Sequence, residues 1–482
     1  MEASLMKIPF VLRTGIARVT ESATLSSNVR RVRGRAPLTP SPHTRPRPAA
    51  PLAGSVTAPS AVNPLESPAG TVLPESDGRT LMSHSPTSHP RIVVIGGGNA
   101  GLSIAGRLHR ARLGDITVIE PRTRHVYAPL QSHIAGGTAR ASQAVRPQAD
   151  VIPPGVRWLR DEVFTVDPES RRVHLVSGGQ LDYDQLIVAA GLRLAWESIP
   201  GLTEAMAAPE GISNYDYALA ARASTVLRDL RGGTVVFTQP PEPASCGAAA
   251  QKPLYLACDW WRSIGVLDDI RVVLVLPDPV PFGIPSIDRE LHRALERYGV
   301  EVHYSREVRS VDATARTLTI GHGDAEETIA YDVLHAVPPQ RAPEWIAGSG
   351  LAADDDPHGF VDVDDETLQH RRYPDVWSLG DAATVATRRS GGAIRPQAKV
   401  LTANLRSALR GKAPTARYDG YSVVPFTVSR GTVVFAEFDR WGRPAPTIPF
   451  WRSLSRERRS TWIADRRVLP WVYWNLILRG LA

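Results

Sequence analysis

The chain has 482 residues, which is too long for one hydrophobic core and predicts more than one domain. Its apolar content of 43% and charged content of 22% are typical of a folded globular protein, and its two cysteines exclude a disulfide scaffold and a cysteine-rich metal site. Most of the net charge of +7 lies in the first 88 residues, so the remainder gives no indication of nucleic-acid binding.

The first segment, residues 1–89, is rich in proline, arginine and serine and has no acidic residue between Glu21 and Glu66. It shows neither a helical nor a strand period, so we predict that it is disordered and lies outside the fold. Two interpretations stay open: an organelle transit peptide, which the arginine-rich start favours, and an over-long gene start with Met82 as the first translated residue. No stretch of 18 apolar residues occurs in the chain, so no membrane-spanning helix is predicted.

The sequence RIVVIGGGNAG at residues 91–101 is the clearest local pattern. Its apolar run at 92–95 predicts a buried parallel strand, and the following LSIAGRLHRA predicts a helix. The GxGxxG spacing supplies three places where a tight turn, a close approach to pyrophosphate and close helix–strand packing require a missing side chain. The predicted phosphate-binding loop comprises Gly96, Gly97, Gly98, Asn99, Ala100 and Gly101.

A second apolar strand, ITVIE at residues 116–120, ends in Glu120, nineteen residues after Gly101. A carboxylate at this spacing can accept hydrogen bonds from the ribose hydroxyls of an adenosine. Strand, glycine loop, helix, strand and acid occur in the right order. The sequence therefore predicts a dinucleotide-binding domain rather than a glycine-rich turn beside a surface glutamate.

Two later segments favour FAD over NAD as the bound dinucleotide. YDQLIVAAG at 183–191 predicts a buried strand that stops at Gly191. In flavoproteins with two dinucleotide-binding domains, the chain returns from the first lobe at such a position. YPDVWSLGDAA at 373–383 predicts a strand closed by Gly380 and Asp381. In FAD-dependent proteins similar to disulfide reductases, such an aspartate binds the ribityl or pyrophosphate portion. The pair Gly-Asp alone favours an ordinary turn, but with the first site it favours FAD.

The second lobe lacks the glycines that a nicotinamide dinucleotide needs. Its first strand is TVVFTQ at 234–239, and PPEPASCG follows it with two prolines and no Gly-x-Gly. Without small residues the backbone cannot approach a second pyrophosphate. This pattern disfavours NAD(P)H as the electron donor and counts against an NADH:quinone oxidoreductase.

From about residue 90 onward the chain resembles the sulfide:quinone oxidoreductases, most closely the type found in mitochondria and some bacteria. The stretches that carry the resemblance are GGGNAG, EPRTRHVYAP, SCGAAAQK, DVDDETLQHRRYPDVWSLGDA, YDGYSVVP, FAEFD and LPWVYWNLILRG. The resemblance implies an α/β fold of two Rossmann-like dinucleotide-binding domains, as in disulfide-reductase-like flavoproteins, with a C-terminal membrane-associating segment. It also implies FAD as cofactor and the transfer of two electrons from sulfide, which becomes a persulfide or polysulfide, to a membrane quinone.

The resemblance also implies domain boundaries and FAD contacts. The implied domains are a discontinuous FAD-binding domain at 90–200 and 356–425, a second Rossmann-like domain without GxGxxG at 201–355, and an interfacial, quinone-side segment at 426–482. Besides the glycine loop, the FAD-binding residues are Glu120, Val163, Gly191 and Asp381.

Cys246, in PASCGAAAQKP at 243–253, matches the family cysteine that lies against the flavin and is the candidate catalytic residue. The second family cysteine follows the last Gly-Asp, where this chain has Ala382. Cys258 does not replace it, because about twelve helical residues would separate the sulfurs by roughly 18 Å, whereas a disulfide needs Cα atoms within about 7 Å. We predict that Cys258 is a buried structural cysteine.

The chain therefore lacks one of the two cysteines through which the family passes electrons. For Cys246 itself, the alternative interpretation is an inert buried thiol. Lys252 would lower the pKa of this thiol if it lay close, although a solvated lysine side chain is the favoured expectation. Two other functions stay open: an NADH:quinone oxidoreductase-like flavoenzyme and a flavin-binding protein without sulfide turnover.

The last 42 residues hold five of the eleven tryptophans, and residues 452–467 carry six arginines against two acids. The apolar stretch that follows is far shorter than the ~20 residues that span a bilayer. Such a composition favours a segment lying in the membrane interface, and the alternative is a helix that packs on the protein's own core or on a second subunit. We expect peripheral attachment to the cytoplasmic face of the inner (plasma) membrane, or to the mitochondrial inner membrane in a eukaryote. An oligomer is compatible with the same pattern.

Overall fold

A computed structural model describes residues 89–447 and 452–482. The leader that the sequence predicts to be disordered lies outside the described residues except for its last position, so that interpretation stays a prediction. In the part of the chain that the structure describes, no helix is both long enough and apolar enough to cross a membrane.

The described chain alternates strands and helices over most of its length. Its strands are β1 (Arg91–Ile95), β2 (Asp115–Ile119), β3 (Arg124–Val126), β4 (Val145–Pro147), β5 (Arg157–Leu159), β6 (Val163–Asp167), β7 (Arg172–Leu175), β8 (Gln180–Asp182), β9 (Gln185–Val188), β10 (Arg193–Leu194), β11 (Gly211–Ile212), β12 (Gly233–Thr238), β13 (Ile270–Val275), β14 (Glu301–His303), β15 (Glu307–Asp312), β16 (Thr317–His322), β17 (Ala325–Ala330), β18 (Val333–His335), β19 (Gln340–Arg341), β20 (Val376–Ser378), β21 (Ser422–Ser429) and β22 (Thr432–Phe438). Its α-helices are α1 (Asn99–Arg110), α2 (Pro129–Ala135), α3 (Gln148–Val151), α4 (Leu202–Ala207), α5 (Tyr217–Asp229), α6 (Lys252–Ser263), α7 (Pro285–Arg297), α8 (Glu344–Gly348), α9 (Ile394–Ala408), α10 (Arg459–Ile463) and α11 (Leu469–Val472).

Five parallel strands form the first sheet, in the order β20-β9-β1-β2-β5. β1 lies at its centre because residues 92–95 are apolar and almost fully buried between neighbours on both sides. The first three apolar strands predicted from the sequence all belong to this sheet. Parallel strands end at one edge, so the turns after them bring the glycine loop together with Glu120, Gly191 and Asp381.

A second sheet, also entirely parallel, has the order β11-β18-β12-β13-β14. Its central strand β12 contains the fully buried residues Val235, Val236 and Phe237, as the apolar TVVFTQ pattern predicts. Two antiparallel three-stranded sheets accompany the parallel ones: β6-β7-β8 and β15-β16-β17. The predicted α/β architecture with two parallel sheets is therefore confirmed.

The hairpin of β21 and β22 crosses the boundary that the sequence places between residues 425 and 426. Its Phe426 and Phe438 rings both pack edge-on against Phe282 of the second lobe, with ring centroids 5.0 and 5.6 Å apart. The two strands pair along their whole length, so the predicted boundary falls inside a hairpin, and the bounds of the C-terminal segment stay a prediction.

Residues 459–477 form a continuous helical segment in which α-helical and π-helical turns alternate. Tyr473 and Trp474 of this segment are buried: the Tyr473 ring centroid lies 4.3 Å from that of Tyr127, and the Arg146 guanidinium lies 4.4 Å from the Trp474 centroid. Part of the segment thus packs on the first lobe of the same chain. This is one of the two alternatives that the sequence leaves open.

Replacing Gly106 of α1 by alanine is expected to detach the C-terminal segment. The new Cβ would stand 2.7 Å from the carbonyl carbon of Arg479 and 2.8 Å from the nitrogen of Gly480. We expect faster amide hydrogen exchange in residues 459–482 and a loss of about 1–3 kcal/mol in the free energy of unfolding. Gly348→Ala is the matched control, because its Cβ would meet no atom within 4 Å. Equal exchange in the two variants would contradict this packing.

Candidate dinucleotide and thiol site

The loop after β1 is shaped by contacts that only glycine permits. Gly96 has a φ of +102°, and a Cβ on Gly101 would lie 1.7 Å from the Gly96 carbonyl oxygen. A Cβ on Gly98 would instead meet no protein atom within 4 Å, so this side of the loop offers room for a ligand. Gly98 also precedes the twelve-residue α1, whose N-terminal amides favour an anion. The loop therefore fits the pyrophosphate of a dinucleotide.

Asn99 and Ala100 tie the start of α1 to the last predicted FAD motif. The Asn99 Nδ2 donates to the carbonyl oxygen of Gly391 at 3.1 Å. A Cβ on Gly380, whose φ is +77°, would lie only 2.9 Å from the Ala100 Cβ. The loop after β1 and the loop after β20 are thus in contact, although they are separated by nearly 300 residues.

Glu120 binds the glycine loop and a neighbouring arginine. Its Oε2 accepts the Gly97 N–H at 2.8 Å, while the Arg122 backbone N–H, Nε and Nη2 donate to the carboxylate at 2.9, 2.8 and 3.0 Å. Burial alone would raise the pKa of Glu120, but these donors hold that pKa below its usual range. A carboxylate has about four acceptor positions. Ribose hydroxyls would therefore reach Glu120 once the exposed Arg122 side chain moves, and the ribose contact stays a prediction.

Three residues that the sequence patterns did not single out support the loop from behind: His125, Gln148 and Tyr473. The Gly97 carbonyl oxygen accepts from Gln148 Nε2 at 2.9 Å and lies 3.1 Å from His125 Nδ1. Because a carbonyl only accepts, Nδ1 carries the proton, and Nε2 accepts from the Tyr473 hydroxyl at 2.6 Å. Burial lowers the pKa of His125, in agreement with a neutral ring. The C-terminal segment thereby helps to hold the dinucleotide loop.

Asp381, Gly191 and Val163 differ in what they offer a ligand. Asp381 follows β20, accepts a hydrogen bond at Oδ2 from the Ser245 hydroxyl at 2.6 Å, and has a pKa raised by burial. Gly191 has a φ of +70°, and a Cβ there would meet no atom within 4 Å. Val163 begins β6 with its side chain buried, so its backbone is the part that can face a ligand. Their contacts with FAD stay predictions.

Cys246 lies next to the Ser245–Asp381 hydrogen bond, in a left-handed backbone conformation with φ of 50° and ψ of 48°. Its N–H donates to the Arg389 carbonyl oxygen at 2.9 Å, and the Arg389 Nε donates to the Asp381 carbonyl oxygen at 2.9 Å. These contacts bring Cys246 to the loop that also carries Ala382, where the family has its second cysteine. The segments that carry the two positions are therefore connected through Arg389, and a shared role of the two positions stays a prediction.

The surroundings of Cys246 favour the protonated thiol. Burial raises its pKa, the carboxylates of Asp381 and Glu242 act in the same direction, and the ammonium of Lys252 acts against them. Lys252 is only 5% exposed, so the expectation of a solvated lysine is wrong. The reason is its place at the first turn of α6, which packs into the core directly after Cys246.

Cys258 is fully buried in α6, and burial raises its pKa far above the usual range. Both cysteines of the chain are free thiols. This agrees with the interpretation of Cys258 as a buried structural residue that forms no disulfide with Cys246.

In the second lobe, the protein's own side chains bridge the strand ends where a second dinucleotide would bind. Gln251 Nε2 donates to Gln239 Oε1 and to the Pro281 carbonyl oxygen, both at 2.8 Å, and the Tyr255 hydroxyl donates to Gln251 Oε1 at 3.0 Å. Gln239 directly follows β12, and Pro281 lies beyond the end of β13. This network disfavours a pyrophosphate at these strand ends.

Comparison with known proteins places this site in a family context. A family model for pyridine nucleotide-disulphide oxidoreductases matches residues 90–231. The mitochondrial sulfide:quinone oxidoreductase of Mus musculus is 32% identical over 398 residues, which cover 82% of this chain and 87% of the mouse protein. The corresponding protein of Dictyostelium discoideum is 32% identical over 393 residues, which cover 81% of this chain and 86% of that protein.

More distant relatives include other quinone-linked enzymes. A type II NADH:quinone oxidoreductase of Mycobacterium tuberculosis is 28% identical over 407 residues, covering 74% of this chain and 84% of that protein. The crystal structure of the sulfide:quinone oxidoreductase of Aquifex aeolicus superposes with a TM-score of 0.69 at 17% identity, covering 82% of this chain and 92% of that one. That structure shares the fold of this chain.

The raised pKa of Cys246 predicts a pH dependence for its alkylation by iodoacetamide. Only the thiolate reacts, so the rate should rise about tenfold per pH unit and reach no plateau below about pH 9. Lys252→Met should slow the reaction further at each pH, because the ammonium is the group that favours the thiolate. The rate is measured by mass spectrometry of the Cys246 peptide. A plateau near pH 7 would contradict the prediction.

Proposed function

Because the chain belongs to the sulfide:quinone oxidoreductase family, we propose that it is an FAD-dependent oxidoreductase that passes two electrons from sulfide, or a related small sulfur donor, to a membrane quinone. The observation that carries the proposal is the position of Cys246, one residue from the Ser245–Asp381 hydrogen bond at the edge where the first sheet meets the glycine loop. A sulfur that becomes nucleophilic on deprotonation is thereby held beside the predicted flavin contacts.

The residues of the site divide into binding and chemical roles. The glycine loop and the N-terminus of α1 bind the pyrophosphate, and Asp381 has acceptor capacity left for a hydroxyl of the ribityl chain. The chemistry that FAD supplies when it is bound is the reversible uptake of two electrons. Lys252 stabilises the Cys246 thiolate against the burial that disfavours it.

The single thiol limits the sulfur chemistry. In the two-cysteine chemistry that the family resemblance implies, sulfide opens a disulfide, one sulfur becomes the persulfide and the other thiolate donates electrons. With Ala382 in the second position, Cys246 is the one protein sulfur of the site on which the product can reside, and its thiolate and hydrosulfide would form that persulfide only by giving two electrons to FAD. Losing one member of a catalytic unit commonly costs several orders of magnitude in rate. We therefore propose an altered rate or an altered sulfur acceptor rather than loss of the site.

Anaerobic titration of the flavin-loaded protein with sulfide tests the function. We expect wild type to show flavin reduction, or a long-wavelength band from the thiolate beside the flavin, that Cys246→Ser lacks. Ala382→Cys should raise the turnover with quinone, because it restores the second sulfur. Cys258→Ser is the matched control, since it changes a buried cysteine outside the site and should behave as wild type.

Three outcomes would overturn parts of this proposal. Identical behaviour of wild type and Cys246→Ser would end the thiol mechanism. Rapid bleaching of the flavin by NADH would instead favour an NADH:quinone oxidoreductase, as in the mycobacterial relative. A flavin that neither sulfide, thiols nor nicotinamides reduce would favour a flavin-binding protein without turnover.

The exposed apolar residues near the C-terminus support a peripheral membrane contact. Such a contact would give the protein access to a quinone dissolved in lipid. While Tyr473 and Trp474 pack on the first lobe, other apolar residues near the C-terminus stay between 43% and 67% exposed: Trp441, Ile463, Val468, Trp471 and Leu481. Arginines surround them, as in segments that lie in a membrane interface. We propose attachment to the mitochondrial inner membrane in a eukaryote, or to the cytoplasmic face of the plasma membrane in a bacterium.

Liposome flotation of point variants tests this contact without exposing the core. The double variant Ile463→Ser with Trp471→Ser should float markedly less than wild type with vesicles containing anionic lipid, because both side chains are exposed. Phe164→Ser is the matched control, since Phe164 is 67% exposed but lies on β6, outside the segment. Equal flotation of wild type, the double variant and the control would contradict the proposed membrane contact.

A further inference from the structure

The backbone conformation of Cys246 is one that L-residues disfavour. Its φ of 50° and ψ of 48° lie in the left-handed region, where the Cβ approaches the following carbonyl oxygen. In the described residues only five other non-glycine residues have a positive φ. The direction in which the Cys246 side chain leaves the backbone depends on this φ, so whatever holds the conformation also sets the direction of the Cα–Cβ bond that carries the sulfur.

Both peptide groups of Cys246 are held by hydrogen bonds from separate parts of the chain. The Cys246 N–H donates to the Arg389 carbonyl oxygen at 2.9 Å, in the loop between β20 and α9. The Cys246 carbonyl oxygen accepts from the Tyr215 hydroxyl at 2.7 Å and from the Ala249 N–H at 2.7 Å. The Tyr215 hydroxyl also lies 3.2 Å from the Gly247 carbonyl oxygen.

Among these partners, Tyr215 is the one whose side chain makes the contact. Tyr215 lies between β11 and α5 of the second lobe, and its hydroxyl reaches the two peptide groups that follow the cysteine. Burial holds the pKa of Tyr215 well above its ordinary value, so the hydroxyl keeps its proton at neutral pH and can donate. In this chain no disulfide tethers Cys246, because position 382 is alanine and Cys258 is a free buried thiol.

We infer that Tyr215 is a positioning residue: its hydroxyl holds the Cys246 peptide in the left-handed conformation and thereby directs the thiol into the site beside Asp381. The inference rests on the proposed function for its catalytic meaning. The geometric part, that Tyr215 controls the reactivity of the Cys246 sulfur, stands independently of which substrate the enzyme uses.

The test compares Tyr215→Phe with Tyr255→Phe in the flavin-loaded protein. Each variant removes one buried tyrosine hydroxyl, but the Tyr255 hydroxyl binds Gln251 rather than the Cys246 peptide. Iodoacetamide alkylation of Cys246 and Cys258 is followed by peptide mass spectrometry, and flavin reduction by sulfide is followed by absorbance. Cys258 is fully buried and therefore reports on unfolding.

We expect Tyr215→Phe to alkylate Cys246 about fivefold faster than wild type, as loss of one hydrogen bond frees the thiol, with Cys258 unchanged. Sulfide should reduce the flavin of the same variant about fivefold more slowly, while Tyr255→Phe stays within about twofold of wild type in both assays. Unchanged Cys246 alkylation in Tyr215→Phe would overturn the inference. If sulfide fails to reduce wild-type flavin, the proposed function fails, and the alkylation ratio still decides the role of Tyr215.

A second comparison covers the case in which Tyr215→Phe does not fold. Alanine disfavours positive φ and glycine does not. If the fold holds residue 246 in the left-handed conformation, Cys246→Gly should therefore unfold at a higher temperature than Cys246→Ala. The opposite order would show that the Cys246 backbone is not constrained, and would overturn the inference without use of the tyrosine variant.

Discussion

The close packing of α1 against β1 is the constraint on which the rest of the site depends. Gly101 must lack a side chain because its Cα lies against the Gly96 carbonyl oxygen, and this contact aims the N-terminus of α1 at the edge of the first sheet. Farther along the same helix, Gly106 admits the backbone of residues 479–480. One helix therefore presents amides to a dinucleotide at its start and receives the C-terminal segment beyond its middle. The predicted dinucleotide loop and the packing of that segment therefore share one helix.

Two acidic residues of the same site have opposite electrostatic surroundings. Glu120 receives four hydrogen bonds, which keep its pKa low in spite of burial. Asp381 receives one side-chain hydrogen bond, from Ser245, and burial raises its pKa. The first carboxylate is thus engaged in holding the loop, whereas the second keeps acceptor capacity for a ligand hydroxyl. Two residues of similar chemistry at one edge of a sheet thus differ in the hydrogen-bonding capacity that they leave free.

The thiol site has to compensate for a missing sulfur by non-covalent means. A pair of cysteines can restrain each other through a disulfide, but this chain has alanine at position 382, and Cys246 is restrained through its backbone instead. Burial disfavours the Cys246 thiolate, whereas the ammonium of Lys252 favours it. The charge of one buried lysine therefore affects the reactivity of the thiol directly. The C-terminal segment reaches the support of the glycine loop through the His125–Tyr473 hydrogen bond.

The sequence by itself determined the parallel strands, the glycine loop and the family, because a buried strand and a pyrophosphate turn each impose requirements on a few consecutive residues. Ile92 to Ile95, Gly96 and Gly101 could be predicted for that reason. Only the tertiary structure decided that the Tyr215 hydroxyl donates to the Cys246 carbonyl oxygen, that Lys252 is buried, and that the Tyr473 hydroxyl donates to His125. Tyr215 and Cys246 are 31 residues apart and Tyr473 and His125 are 348 apart, and no local period or spacing encodes such contacts. Lys252 is close to Cys246 in sequence, but its burial depends on how α6 packs into the core. The hairpin that spans the predicted boundary at residue 426 is a further example, since strand pairing depends on the partner strand as much as on the residues before it.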